Sequence, residues 1–126
     1  MLDTQCWLWM NAAPDRFSPE PRRLIETPET TLFLSSASVL EIAIKYALGK
    51  LQLPVRPSDY VPSRLEQTRV IALPISHEHA LRSGELPAHH RDPFDRLLVA
   101  QAQLERLPLL TSDRALATYD ADFIWA

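Results

Sequence analysis

The chain has 126 residues, 46% of them apolar and 23% charged, and a net charge of −3. That length can bury one core, which sets the expectation of a single domain over residues 1–126. The bulk numbers exclude a transmembrane helix, because no run reaches about 18 apolar residues, and an internal disulfide, because Cys6 is alone.

In chain order, Met1–Thr4 reads as the end of a strand and residues 5–12 as a helix. Ser18-Pro19-Glu20 is a helix start, with Ser as N-cap and Pro at the first helical position, and that helix runs to about Thr27. Residues 31–35 form a strand. Ser36 or Ser38 then caps a helix that closes at Gly49, with Leu40, Ala43, Ile44, Ala47 and Leu48 recurring at helical spacing. A helix over 58–68 has Pro62 near its first turn; a strand covers 70–73 and a short helix 76–84. Asp92-Pro93 opens a helix to about Arg106, followed by a strand at 107–111, a brief helix at 112–118 and a last strand at 122–125. Strands separated by helices predict a mainly parallel sheet covered on both faces, with ligands bound beyond the carboxyl ends of its strands.

Gly49 and Gly84 are the only glycines, so Gly-rich phosphate loops are excluded. The start lacks a basic segment followed by an apolar run, which sets the expectation of a cytoplasmic protein. Eleven of thirteen basic residues are Arg, the side chain that forks onto phosphate; a GC-rich genome is the plainer source of the same bias.

Four acids stand at the edges of apolar runs: Asp3, Glu41, Asp95 and Asp113. Each has an ordinary reading. Asp3 can cap the helix after it, and Asp113 the helix at 112–118, although Thr111 or Ser112 would serve there. Glu41 precedes Lys45 by four residues, in the favourable order for a helical ion pair. Asp92 reads as N-cap, and Asp95 as the acid that favours a helix start. The helix holding Glu41 looks buried over much of its surface, and a lone buried carboxylate is costly. Asp3 and Asp113 both follow strands, which puts them on one sheet edge. Four anions in one cleft invite a divalent cation.

Four segments carry a resemblance: Leu2-Asp-Thr4; Ser38-Val-Leu-Glu-Ile-Ala-Ile-Lys45 with Leu48-Gly-Lys-Leu51; the run from His89 to Ala102; and Leu110-Thr-Ser-Asp113. In these the chain resembles the PIN-domain family, specifically the VapC-type toxins of bacterial toxin–antitoxin pairs. The resemblance implies a three-layer α/β/α sandwich with a mainly parallel central sheet of four to five strands. It implies a Mg²⁺- or Mn²⁺-dependent endoribonuclease with tRNA or rRNA loops as targets, a cognate antitoxin and a homodimer. The family's metal-site acids fall on Asp3, Glu41, Asp95 and Asp113, with hydroxyls at Thr4, Thr111 and Ser112 in support. Asp92 is the alternative ligand to Asp95, acting through water. The family usually has a few more residues before Leu-Asp-Thr, so either the start lies too late here or the first strand is clipped. Gln5 stands where many relatives carry His.

Arg91, Arg96 and Arg114 lie beside the acids, where they would hold RNA phosphates, neutralise the pocket or meet carboxylates of an antitoxin. His77 and His79 are expected on a surface helix rather than on zinc. Trp7 and Trp9, two apart on one helix, cannot face the same way; an exposed one would suit a dimer or antitoxin groove. The rival reading is a catalytically degenerate PIN domain that only binds antitoxin or RNA. A phosphoacceptor receiver domain is set aside, because adjacent acids after the first strand and a late lysine are both missing.

Overall fold

A computed structural model describes residues 1–126. The elements are α1 (Thr4–Ala12), α2 (Pro19–Glu26), β1 (Phe33–Ser35), α3 (Ser36–Ala47), α4 (Pro57–Thr68), β2 (Ile71–Leu73), α5 (His77–Glu85), α6 (Pro93–Glu105), β3 (Leu109–Thr111) and β4 (Phe123–Trp125). Two 3₁₀ turns, Pro14–Arg16 and Arg114–Thr118, complete the set. The expected helix at 112–118 is thus a tighter 3₁₀ turn. No helix is long and apolar enough to cross a membrane.

β1 pairs with β2 and β3 with β4, each pair parallel. Leu2 alone joins the pairs, bridging Leu34 on one side and Leu110 on the other. Its N–H donates to the Phe33 carbonyl, while Asp3 N–H reaches Leu110 and Leu110 N–H reaches Met1. The expected sheet of four to five strands is four short strands plus this one-residue centre.

Alternation along the strands sends neighbouring side chains to opposite faces. Met1 and Leu109 enter one cluster with Leu98, Val99 and Leu116. Leu2, Leu34 and Leu110 enter the other with Cys6, Trp7, Ile42 and Val61. The α/β sandwich therefore has helical cover on both faces of its sheet.

α3 departs from expectation in two ways. Its N-cap is Ser35, whose hydroxyl accepts from Ala37 N–H, not Ser36 or Ser38. Its buried residues are Ala37, Ser38, Glu41 and Ile42, whereas Leu40 (53% exposed), Ile44 and Leu48 (63%) face solvent. Periodicity marked the helix but not the buried side, because both faces are apolar.

Trp7 is fully buried with its ring edge-on to Tyr60, and Trp9 packs half-buried against Phe17. Neither supplies the exposed Trp considered for an interface. His79 is also not a surface residue. It is buried, its Nδ1 accepts from Ser76 N–H in a capping box, and its Nε2 meets Glu105 at 2.7 Å.

Candidate metal centre

The carboxyl ends of the Leu2 bridge and β3, the starts of α1 and α6, and the second half of α3 with the turn after it enclose a cleft of about 390 Å³. Asp3, Glu41, Asp92, Asp95 and Asp113 line it, with Thr4 and Ser112. Five carboxyl groups from four distant segments therefore meet in one place.

Asp3 performs its capping role and lines the cleft at once. Its Oδ1 accepts from Cys6 N–H at 2.7 Å. Burial pushes its carboxyl above the usual range, opposed by hydrogen bonds from Thr111 and Cys6. Cys6 lies behind it, a buried thiol pushed up by burial and by the Asp3 charge.

Glu41 is 8% exposed and both its oxygens are engaged. Thr4 Oγ1 donates to Oε1 at 2.6 Å, and Lys45 Nζ to Oε2 at 2.6 Å. The helical ion pair read from the sequence exists, and it exists inside the cleft. That one observation reconciles the two readings of Glu41.

At the other end, Asp92 caps α6 by accepting from Phe94 N–H and, more distantly, Asp95 N–H. Asp95 is left facing inward. Burial first, then the Asp92 charge, lifts its carboxyl to about 7; His90 opposes the shift. Asp113 caps the 3₁₀ turn through Ala115 N–H, so neither Ser112 nor Thr111 does. The Thr111 hydroxyl instead accepts from Asp113 N–H, fixing the residue after β3.

His90 links these two acids. Its Nδ1 accepts from Asp92 N–H, which leaves the proton on Nε2. Nε2 stands 3.6 Å from Asp95 and 3.4 Å from Asp113. His90, Asp95 and Asp113 each offer an atom within 4.8 Å of the others. The four acids thus fall into two pairs, Asp3 and Glu41 beside Thr4, and Asp95 and Asp113 beside His90. The donor set is rich in oxygen, which suits a hard divalent cation.

None of the three flagged arginines lines the cleft. Arg96 donates to the carbonyls of Ser83 in α5 and of Leu86 and Pro87 just after it, and so ties the end of α5 to α6; this corrects the expectation that it reaches phosphate. Arg114 lies over the Trp125 ring, 4.5 Å from its centre. Arg91 is exposed. The sequence reading gave no cleft role to His90 or Lys50, and took Lys45 only as a helical ion-pair partner. Gly49 as a helix stop was the one local signal that the chain turns there and carries Lys50 back.

A family model described as the PIN domain matches residues 1–122. Ribonuclease VapC16 of Mycobacterium tuberculosis is 38% identical over 60 residues, covering 48% of this chain. The aligned stretch spans 43% of that relative's length. Among solved structures, VapBC2 from Rickettsia felis, bound to a DNA fragment from its promoter, has a similar fold. The TM-score is 0.71 at 19% identity, over 98% of this chain and 96% of that one. A toxin–antitoxin complex from Klebsiella pneumoniae gives 0.58 at 19% identity, over 93% and 89%.

Proposed function

Because this chain belongs to the PIN-domain family, we propose that it is a divalent-metal-dependent endoribonuclease and the toxin of a toxin–antitoxin pair. The observation that carries this reading is the convergence of Asp3, Glu41, Asp95 and Asp113 on one cleft. These four would hold Mg²⁺ or Mn²⁺, with Asp92 behind Asp95. A bound divalent ion supplies an activated water near neutral pH and offsets charge on the phosphodiester.

The chain's own groups prepare the site. Cys6 N–H fixes one oxygen of Asp3, and the Thr4 hydroxyl fixes one oxygen of Glu41. Thr111 sets the backbone that presents Asp113. Ser112 lines the cleft as a neutral hydroxyl. These bonds hold the carboxylates in place before any ligand arrives, so little reorganisation is left to the reaction.

The substrate class is single-stranded RNA, with tRNA and rRNA loops as candidates. The partner is a cognate antitoxin, and the compartment is the cytoplasm. The exposed stripe Leu40, Ile44 and Leu48 supports a homodimer through α3.

Cleavage of RNA in Mg²⁺ or Mn²⁺, its loss in EDTA, and its loss in Asp3→Asn at unchanged folding are the expected results. Full activity after thorough chelation would remove the metal from the reading. Binding of RNA without cleavage under all metals would favour the degenerate alternative. Sequencing of 5′-phosphate ends after induced expression would identify the target.

A further inference from the structure

The chain contains two lysines, Lys45 and Lys50, and both line the acidic cleft. None of the eleven arginines does. We propose that Lys45 and Lys50 are the phosphate-binding residues of this cleft, with Lys45 also serving as the cation that occupies Glu41 until a metal does. The inference rests on the nuclease reading and assigns the residues that grip the RNA backbone.

Placement comes from the end of α3. Leu48 is the C-cap and Gly49 has a φ of 72°, the left-handed conformation that glycine adopts freely. Lys50 N–H then reaches back to the Lys45 carbonyl at 2.8 Å, and Gly49 N–H to Tyr46 at 3.0 Å. This is a Schellman closure. It reverses the chain and brings Lys50 to the same cleft as Lys45.

Charge gives the reason. Five formal carboxylates against two ammonium groups leave a deficit of three in the cleft. One divalent ion leaves the cleft negative, and only a second makes it positive. Without the lysines, even two ions would leave it negative and would repel a phosphate. Lys45 is suited to changing partners. Its side chain is 51% exposed, it has a flexible stem, and it holds the outer oxygen of Glu41 while Thr4 holds the other. Glu41 would hold a metal in exchange for an ammonium group, not a rigid fork, and Lys45 released from it would be free within the cleft to bind a phosphate.

The test measures two bindings on Lys45→Gln, Lys50→Gln and Arg91→Gln. The first is Mn²⁺ affinity by calorimetry without RNA. Lys45→Gln is expected to bind Mn²⁺ roughly two- to fivefold tighter, because a competing cation of ion-pair strength is gone. The second is affinity for a short fluorescent single-stranded RNA in Ca²⁺, with the probe checked intact on a gel, as a function of salt. Each lysine variant is expected to bind roughly fivefold more weakly and to lower the salt slope by about 0.7. Unchanged slopes in both lysine variants, or the loss appearing only in Arg91→Gln, would overturn the assignment while leaving the nuclease reading intact. A parent protein that binds no Mn²⁺ would overturn both. Unfolding does not confound the result, because both lysines are exposed and circular dichroism verifies the fold.

Discussion

Asp95→Asn should make the metal-free protein more stable while abolishing its use for metal. A free aspartate titrates near 3.8, and burial lifts Asp95 to about 7. The gap is roughly three pH units, at about 1.4 kcal/mol each. Transferred whole, that is a cost of about 4 kcal/mol at pH 8. The side chain is 24% exposed, and solvent screens that part, so about 2 kcal/mol is the working figure. The folded carboxyl keeps its proton to higher pH than the unfolded one. Stability is therefore lost as pH rises from about 4, and the loss is complete above about 7. Asparagine has the same shape and no charge. In EDTA at pH 8, thermal melts should show the variant more stable by about 2 kcal/mol, a rise of roughly 6–10 °C for a chain of this size. Near pH 4 the two proteins should melt together. Saturating Mn²⁺ should reverse the order, since ligand at a hundred times its Kd adds about 2.7 kcal/mol to the parent alone. A variant that melts at or below the parent in EDTA at pH 8 would refute the reasoning.

The same carboxyl makes metal binding pH-dependent. Mn²⁺ affinity should fall about tenfold between pH 8 and pH 6 by calorimetry, as a group titrating near 7 regains its proton; a flat profile would exclude Asp95 as a ligand. Arg96→Met should cost about 2 kcal/mol and speed amide exchange over residues 83–91, because three carbonyls lose a charged donor; the salt dependence of RNA binding should not move. Leu48→Lys with Leu40→Lys should leave the melting temperature within about 1 °C yet shift any dimer to monomer in sedimentation; a dimer that persists would place the interface elsewhere. Gln101→Leu should destabilise by about 1–3 kcal/mol, since Ser35 loses the buried partner that links the start of α3 to α6.

Local chemistry was legible wherever a residue's role ends within a few positions. Pro19, Asp92-Pro93 and Gly49 mark helix ends because these signals are local, although the Ser18 side chain at the start of α2 makes no capping hydrogen bond. The family-level motifs gathered the acids, and the strand-end rule had already put Asp3 and Asp113 on one edge. What was illegible depends on distant partners. Ser35 outranks Ser36 as a cap because it ends β1 in extended conformation. Arg96 sits beside Asp95 in sequence, yet its guanidinium finds three carbonyls at the end of α5. Only the fold makes known that a chain rich in arginine lines its cleft with its two lysines.

The one-residue centre of the sheet has a consequence for timing. Leu2 is made well before one of its two bridge partners, Leu110, because a long stretch of chain separates them. Asp3 is held against Leu110 by a backbone bond, and Asp113 follows three residues later. A growing chain therefore holds Asp3 without this backbone anchor until Leu110 has been made. The cleft cannot assemble before Asp113 has been made.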